Sequence, residues 1–85
     1  MYVIETTRDA SRALRKMPSN VAALIRSKIE TLAADPFAPN NNVKKLKGSD
    51  DYRLRVGDWR VVYTLQNDKL IITIVRIAPR GGIYE

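Results

Sequence analysis

Apolar residues recur at helical spacing in the first part of the chain and at strand spacing in the last. Tyr2 to Glu5 reads as a short β-like run. Ala10, Ala13, Leu14 and Met17 then follow at intervals of three and four, which predicts an amphipathic helix capped by Thr7. Pro18 interrupts it, and Pro18 or Ser19 opens a second helix with Val21, Leu24, Ile25, Ile29 and Leu32 on one stripe. Asp35-Pro36 marks its end or the turn just beyond it. So little chain separates the helices that an antiparallel helical hairpin is expected.

From Asp51 onward the period changes to two. Tyr52, Leu54 and Val56 alternate with Arg53 and Arg55; Trp59, Val61, Tyr63 and Leu65 alternate with Arg60, Val62 and Thr64. Gly57-Asp58 and Asn67-Asp68 supply turns. Lys69 to Ala78 makes the longest strand, apolar and β-branched on both faces and therefore expected to be central, and Pro79 stops it. The pattern implies a small single α+β domain over residues 1–85. Its order is β-α-α-β-β-β, with the helical hairpin packed on one face of an antiparallel-rich sheet. That packing assigns Tyr52, Leu54, Val56, Trp59, Val61 and Tyr63 to the helical side and leaves the arginines on the open face. Trp59, Tyr52 and Tyr63 are thus core residues rather than stacking platforms.

The arginine face carries the candidate chemistry. A two-residue turn at Gly57-Asp58 pairs Val56 with Trp59 and Arg55 with Arg60. Like charges directly opposite each other weaken a sheet, an arrangement that makes sense when an anion sits between them. Pro36 to Asn42, with two prolines and three consecutive asparagines, reads as a connecting surface loop. Lys44, Lys45 and Lys47 follow around Leu46. They are either solvated lysines or a basic rim that attracts phosphate without sequence preference.

Composition narrows the classes. Fifteen basic residues against nine acidic ones give a formal net charge of +6 in 85 residues, which favours a polyanionic partner. Cysteine and histidine are both missing, so disulfides and ordinary zinc sites are not expected; no cofactor or metal is assigned to the chain. Catalysis would have to use tyrosine, arginine, lysine or carboxylates. Glu5, Arg8 and Asp9 break any leader-like apolar run, and Leu70 to Ala78 is too short to span a membrane and contains Arg76. A cytoplasmic protein without membrane association is expected.

The helix pair is followed by Leu46-Lys47-Gly48, Tyr52-Arg53-Leu54-Arg55 and Gly57-Asp58-Trp59-Arg60-Val61-Val62-Tyr63, and the chain closes on Arg80 and Tyr84. Taken together these segments resemble the RelE toxins of the RelE/ParE toxin–antitoxin superfamily, over essentially the whole chain. The resemblance implies a ribosome-dependent endoribonuclease that cuts mRNA in the A site through 2′-hydroxyl attack, inhibiting translation, and that is neutralised by an acidic antitoxin. It also implies site residues. Arg53 and Arg55 stand where the family has two basic residues before the turn, Arg60 matches the arginine just past it, and Arg80 and Tyr84 match the C-terminal pair. The family's best-studied pattern has lysines at the first two positions; here Pro79 and Gly81-Gly82 also flank Arg80 without charge.

The chemistry of those groups suggests roles. Arginine offers a planar fork of donors to phosphate and stays charged, which suits it to stabilising a phosphorane. Arg60 and Arg80 are assigned to the scissile phosphate, Arg55 to the developing charge and Arg53 to a flanking phosphate. Proton removal suits tyrosine better: with a pKa of about 10 against more than about 12, its ionised fraction at neutral pH is about a hundredfold larger than that of neutral arginine. Tyr84 is therefore the candidate proton acceptor, with stacking on a base as an equally available role. Asp51 shares the face of Arg53 and is either a carboxylate base or a structural ion-pair partner. Two other readings remain open at this point: a ParE-like poison of DNA gyrase, and a toxin that binds ribosome or RNA without catalysis.

Overall fold

Thr7 decides where the first strand stops and the first helix starts. Its hydroxyl accepts from the N–H of Ala10, capping α1 (Arg8–Lys16), and donates to the carbonyl of Val75 at 2.7 Å. Its own N–H donates to the carbonyl of Ile74. One residue thereby ends β1 (Val3–Thr6), starts α1 and fastens both to the sheet. The computed structural model describes residues 1–81. After α1 come α2 (Ser19–Ala34), β2 (Val43–Lys45), β3 (Tyr52–Val56), β4 (Trp59–Gln66) and β5 (Ile71–Pro79).

The five strands form one sheet in the order β1-β5-β4-β3-β2. β1 runs parallel to β5 and the other pairs are antiparallel, giving the mixed sheet of an α+β fold. β5 has a neighbour on each side, as its apolar content on both faces requires. The sequence pattern does not reveal β2. Its three residues include Lys44 and Lys45, to which that pattern assigns no strand, and it is recruited by the β3 ladder rather than by any apolar alternation of its own. Another difference lies at Lys69 and Leu70. They close a turn instead of opening β5, and Leu70 takes φ +54°.

Both helices share one core with the sheet. Ala10, Leu14 and Met17 of the α1 region and Ala22, Ile25, Ile29 and Leu32 of α2 pack with Leu54, Val56, Val61, Tyr63, Ile72, Ile74 and Ile77. Tyr52 and Trp59 are partly buried against this cluster, so the expected side of the sheet is the core side. Leu24 departs from the expected stripe. It is 50% exposed, because α2 buries Ala22 and Ala33 and rotates Leu24 out.

β5 changes phase midway. Val62 faces Arg76 but Tyr63 faces Ile74, so Val75 is an extra residue, a β-bulge held by the Thr7 hydroxyl. Before the bulge Ile72 and Ile74 point to the core; after it Ile77 does. Uninterrupted alternation would have sent Arg76 inward. Beyond it, the opposite face is not wholly open: Val62 and Ala78 are buried there beside Leu46 and Val75.

Candidate functional site

The β3–β4 hairpin has the expected register, with Val56 opposite Trp59 and Arg55 opposite Arg60. Gly57 takes φ +57° while Asp58 stays out of the left-handed region, the pattern of a type II′ turn, which favours glycine at its first central position. The carbonyl of Asp58 accepts from the N–H of Arg80 at 2.6 Å, so the turn itself holds the end of β5 and places Arg80 beside the hairpin.

Each of the two facing arginines donates to neutral oxygens. Arg55 donates from Nε and Nη2 to Asn42 Oδ1, at 3.2 and 2.9 Å, while its N–H meets the carbonyl of Asn42 at 2.8 Å. Because Asn42 carries no charge, Arg55 is oriented without being neutralised. Asn42 is fixed in turn: its N–H donates to Asn40 Oδ1, a side-chain-closed turn at the start of β2. The asparagine run, expected to be simple connection, thus supports the site. Arg60 differs from expectation in another way. It is buried rather than solvated on the open face, and its Nη1 donates to the carbonyls of Gly57 and Trp59, both at 3.0 Å.

Arg55, Arg60 and Arg80 line one cleft of about 500 Å³, together with Leu24, Lys28, Asn42, Val56, Gly57 and Asp58. Lys28 and Leu24 come from α2, and nothing in their local sequence distinguishes them from other helix-surface residues. Arg53 lies elsewhere. It stands opposite Lys44 on one side and Val62 on the other, and Val62 faces Arg76, so a row of Lys44, Arg53 and Arg76 crosses β2 to β5 one side-chain step from the cleft. Lys45 and Lys47 line a separate depression with Gly48, Ser49 and Asp50. Asp51 takes part through its backbone, its carbonyl accepting from Leu46 and its N–H donating to Ser49 Oγ. Tyr84 lies outside the described residues. Among the described residues no group of three His, Cys, Asp or Glu is placed to hold a metal ion, and no helix is long and apolar enough to cross a membrane.

A sequence model of the family described as "ParE toxin of type II toxin-antitoxin system, parDE" matches residues 4–84. A chain named "Putative toxin RelE1", from Methanocaldococcus jannaschii, is 34% identical over 86 residues, covering 99% of this chain and 96% of its own. The crystal structure of an archaeal RelE–RelB complex from Pyrococcus horikoshii superposes with a TM-score of 0.82 at 28% identity, over 96% of this chain and 98% of that one. The isolated Escherichia coli RelE toxin shares the fold, with a TM-score of 0.80 at 22% identity over 94% of this chain and 85% of its own. The chain belongs to the RelE/ParE superfamily of type II toxin–antitoxin toxins, and within it is RelE-like. These relatives do not favour the gyrase-poison alternative.

Proposed function

We propose that this toxin is a ribosome-dependent endoribonuclease that cleaves mRNA in the A site. The observation that carries the proposal is the convergence of Arg55, Arg60 and Arg80 on one cleft, with Arg55 oriented by a neutral partner. In the proposed reaction the ribose O2′ loses its proton and attacks the adjacent phosphorus. The P–O5′ bond breaks, a 2′,3′-cyclic phosphate forms, and the leaving O5′ takes up a proton. Arg60 and Arg80 bind the scissile phosphate and Arg55 meets the charge that grows on the phosphorane. Tyr84 accepts the 2′-proton, the assignment that chemistry favours in a chain without histidine. Arg53 with Lys44 holds a flanking stretch of backbone, and Lys45 and Lys47 add general attraction. Groups so modest in acid–base strength suit an enzyme whose substrate is preorganised by the ribosome.

The ribosome as target places its action in the cytoplasm. The partner that restrains it is proposed to be an acidic antitoxin protein, as the RelE–RelB complex of the Pyrococcus relative and the net charge of +6 both suggest.

Primer extension on mRNA in programmed ribosomes, against free mRNA, tests the proposal. The expected result is cutting within the A-site codon only on ribosomes, reduced about 10²- to 10³-fold by Arg80→Ala or Arg55→Ala and strongly by Tyr84→Phe. Those arginines are preferred to Arg60, whose loss would also strip two backbone carbonyls of a donor. If folded, antitoxin-free protein cuts nothing on programmed ribosomes, the nuclease reading is wrong and a gyrase-mediated DNA cleavage assay comes next.

A further inference from the structure

α2 contributes two side chains to the arginine cleft that the toxin motif does not contain. Leu24 and Lys28 are four residues apart, hence on the same side of the helix, and both line the cleft with Arg55, Arg60 and Arg80. Leu24 is half exposed there although Ile25 and Ile29 of the same helix are buried. Among the described residues the cleft lining holds four cations, Lys28, Arg55, Arg60 and Arg80, and one carboxylate, Asp58. A single phosphodiester bears one negative charge, and its phosphorane two, so this cation set exceeds what one scissile phosphate requires. The excess cation is also of a different kind. Arginine's fork suits the equatorial oxygens of a reacting phosphate, whereas a lysine ammonium acts as a mobile, strongly hydrated point charge.

We propose that Lys28 holds the phosphate next to the scissile one, and that Leu24 packs against the base or ribose between them. The cleft then takes a dinucleotide step of single-stranded RNA, gripped from the hairpin on one side and from α2 on the other. An apolar side chain set among cations is explained by a ligand that alternates charge and aromatic surface, as a nucleotide strand does. This inference rests on the nuclease reading above, since it extends the same cleft.

The test is binding of a short single-stranded 2′-O-methyl RNA, which has no 2′-hydroxyl to react, to the full chain at several salt concentrations. Arg80→Ala and Lys28→Ala are each expected to weaken binding and to lower the slope of log K against log salt by about 0.7, one single-strand phosphate contact. Lys28→Arg restores the slope. Leu24→Gln weakens binding with the slope unchanged. Lys69→Ala removes the same charge from the turn at the far end of β4 and leaves slope and affinity as in the wild type. If Arg80→Ala lowers the slope and Lys28→Ala does not, or if Lys69→Ala lowers it equally, the role of Lys28 is wrong while the arginine cleft stands. If neither cleft variant changes the slope, or the wild type does not bind, the cleft does not grip a dinucleotide step by itself and this inference falls, while the nuclease reading is decided separately by primer extension on programmed ribosomes.

Discussion

Tyr63 is fully buried, its ring stacked on Tyr52 with centroids 5.4 Å apart, yet its hydroxyl finds no hydrogen-bond partner among the described residues. Burial, and then the neighbouring Tyr52, push its pKa from the ordinary 10.0 to about 12. The folded state therefore keeps a proton that the unfolded chain gives up from pH 10 upward. This titration leaves stability unchanged below pH 10 and lowers it as pH rises through about 12, by about 3 kcal/mol at the limit. Tyr63→Phe removes a desolvated hydroxyl that gains nothing in return. The variant should be as stable as the wild type or more so, by up to about 1 kcal/mol at neutral pH. Its urea midpoint should also fall less steeply on the alkaline side. A clear loss of neutral-pH stability would mean that the hydroxyl has a partner after all. At this scale the sequence was informative: strand alternation put Tyr63 and Trp59 on the core side and paired Arg55 with Arg60. Alternation gave no sign that Arg60 is buried, because burial follows from how its guanidinium reaches back to two carbonyls of its own hairpin.

Leu70 is the element-scale counterpart. It closes the four-residue turn between β4 and β5 at φ +54°, half exposed, while its carbonyl accepts from the N–H of Val3. Left-handed geometry costs a branched side chain about 1–2 kcal/mol, whereas glycine loses about 0.5–1 kcal/mol through its freer unfolded state. Leu70→Gly is therefore expected to raise stability by up to about 1 kcal/mol, seen as a higher melting temperature; a lower one would show that Leu70 makes contacts worth more than its strain. Such a site was not legible from the apolar pattern, which simply ran the strand back to Lys69. The boundaries of α1 and α2 were legible, because Thr7 and Pro18 act locally. β2 was not, because an edge strand of three residues is defined by its partner's free ladder rather than by its own side chains.

For the molecule as a whole, one core cluster joins α1, α2, β3, β4 and β5, and β1 closes the sheet against β5. Helices and sheet should accordingly lose structure together. Unfolding followed by far-UV circular dichroism and by the fluorescence of Trp59, which packs against that cluster, is expected to give coincident transitions. Separated transitions would mean that the helices and the sheet are independent units. The same connectivity builds the site. Lys28 of α2, Arg55 and Arg60 of the hairpin and Arg80 at the end of β5 are far apart in sequence and meet only because β5 lies beside β4 and the turn carbonyl of Asp58 fixes its end.

The sequence by itself determined the α+β class, both helices, and the hairpin with its register, since each is set by short-range periodicity or turn chemistry; Arg80 was grouped with Arg55 and Arg60 only through the family resemblance. Tertiary structure decided the rest. The bulge at Val75 exists because β5 must serve β4 on one side and Thr7 on the other, and it moves Arg76 out of the core and Ile77 into it. The rotation of α2 turned an expected core leucine into a wall of the cleft and brought Lys28 beside it. Lys45 and Lys47, grouped with the site by charge alone, went to a different depression. Charge is a property of composition, but which charges share a cavity depends on long-range pairing.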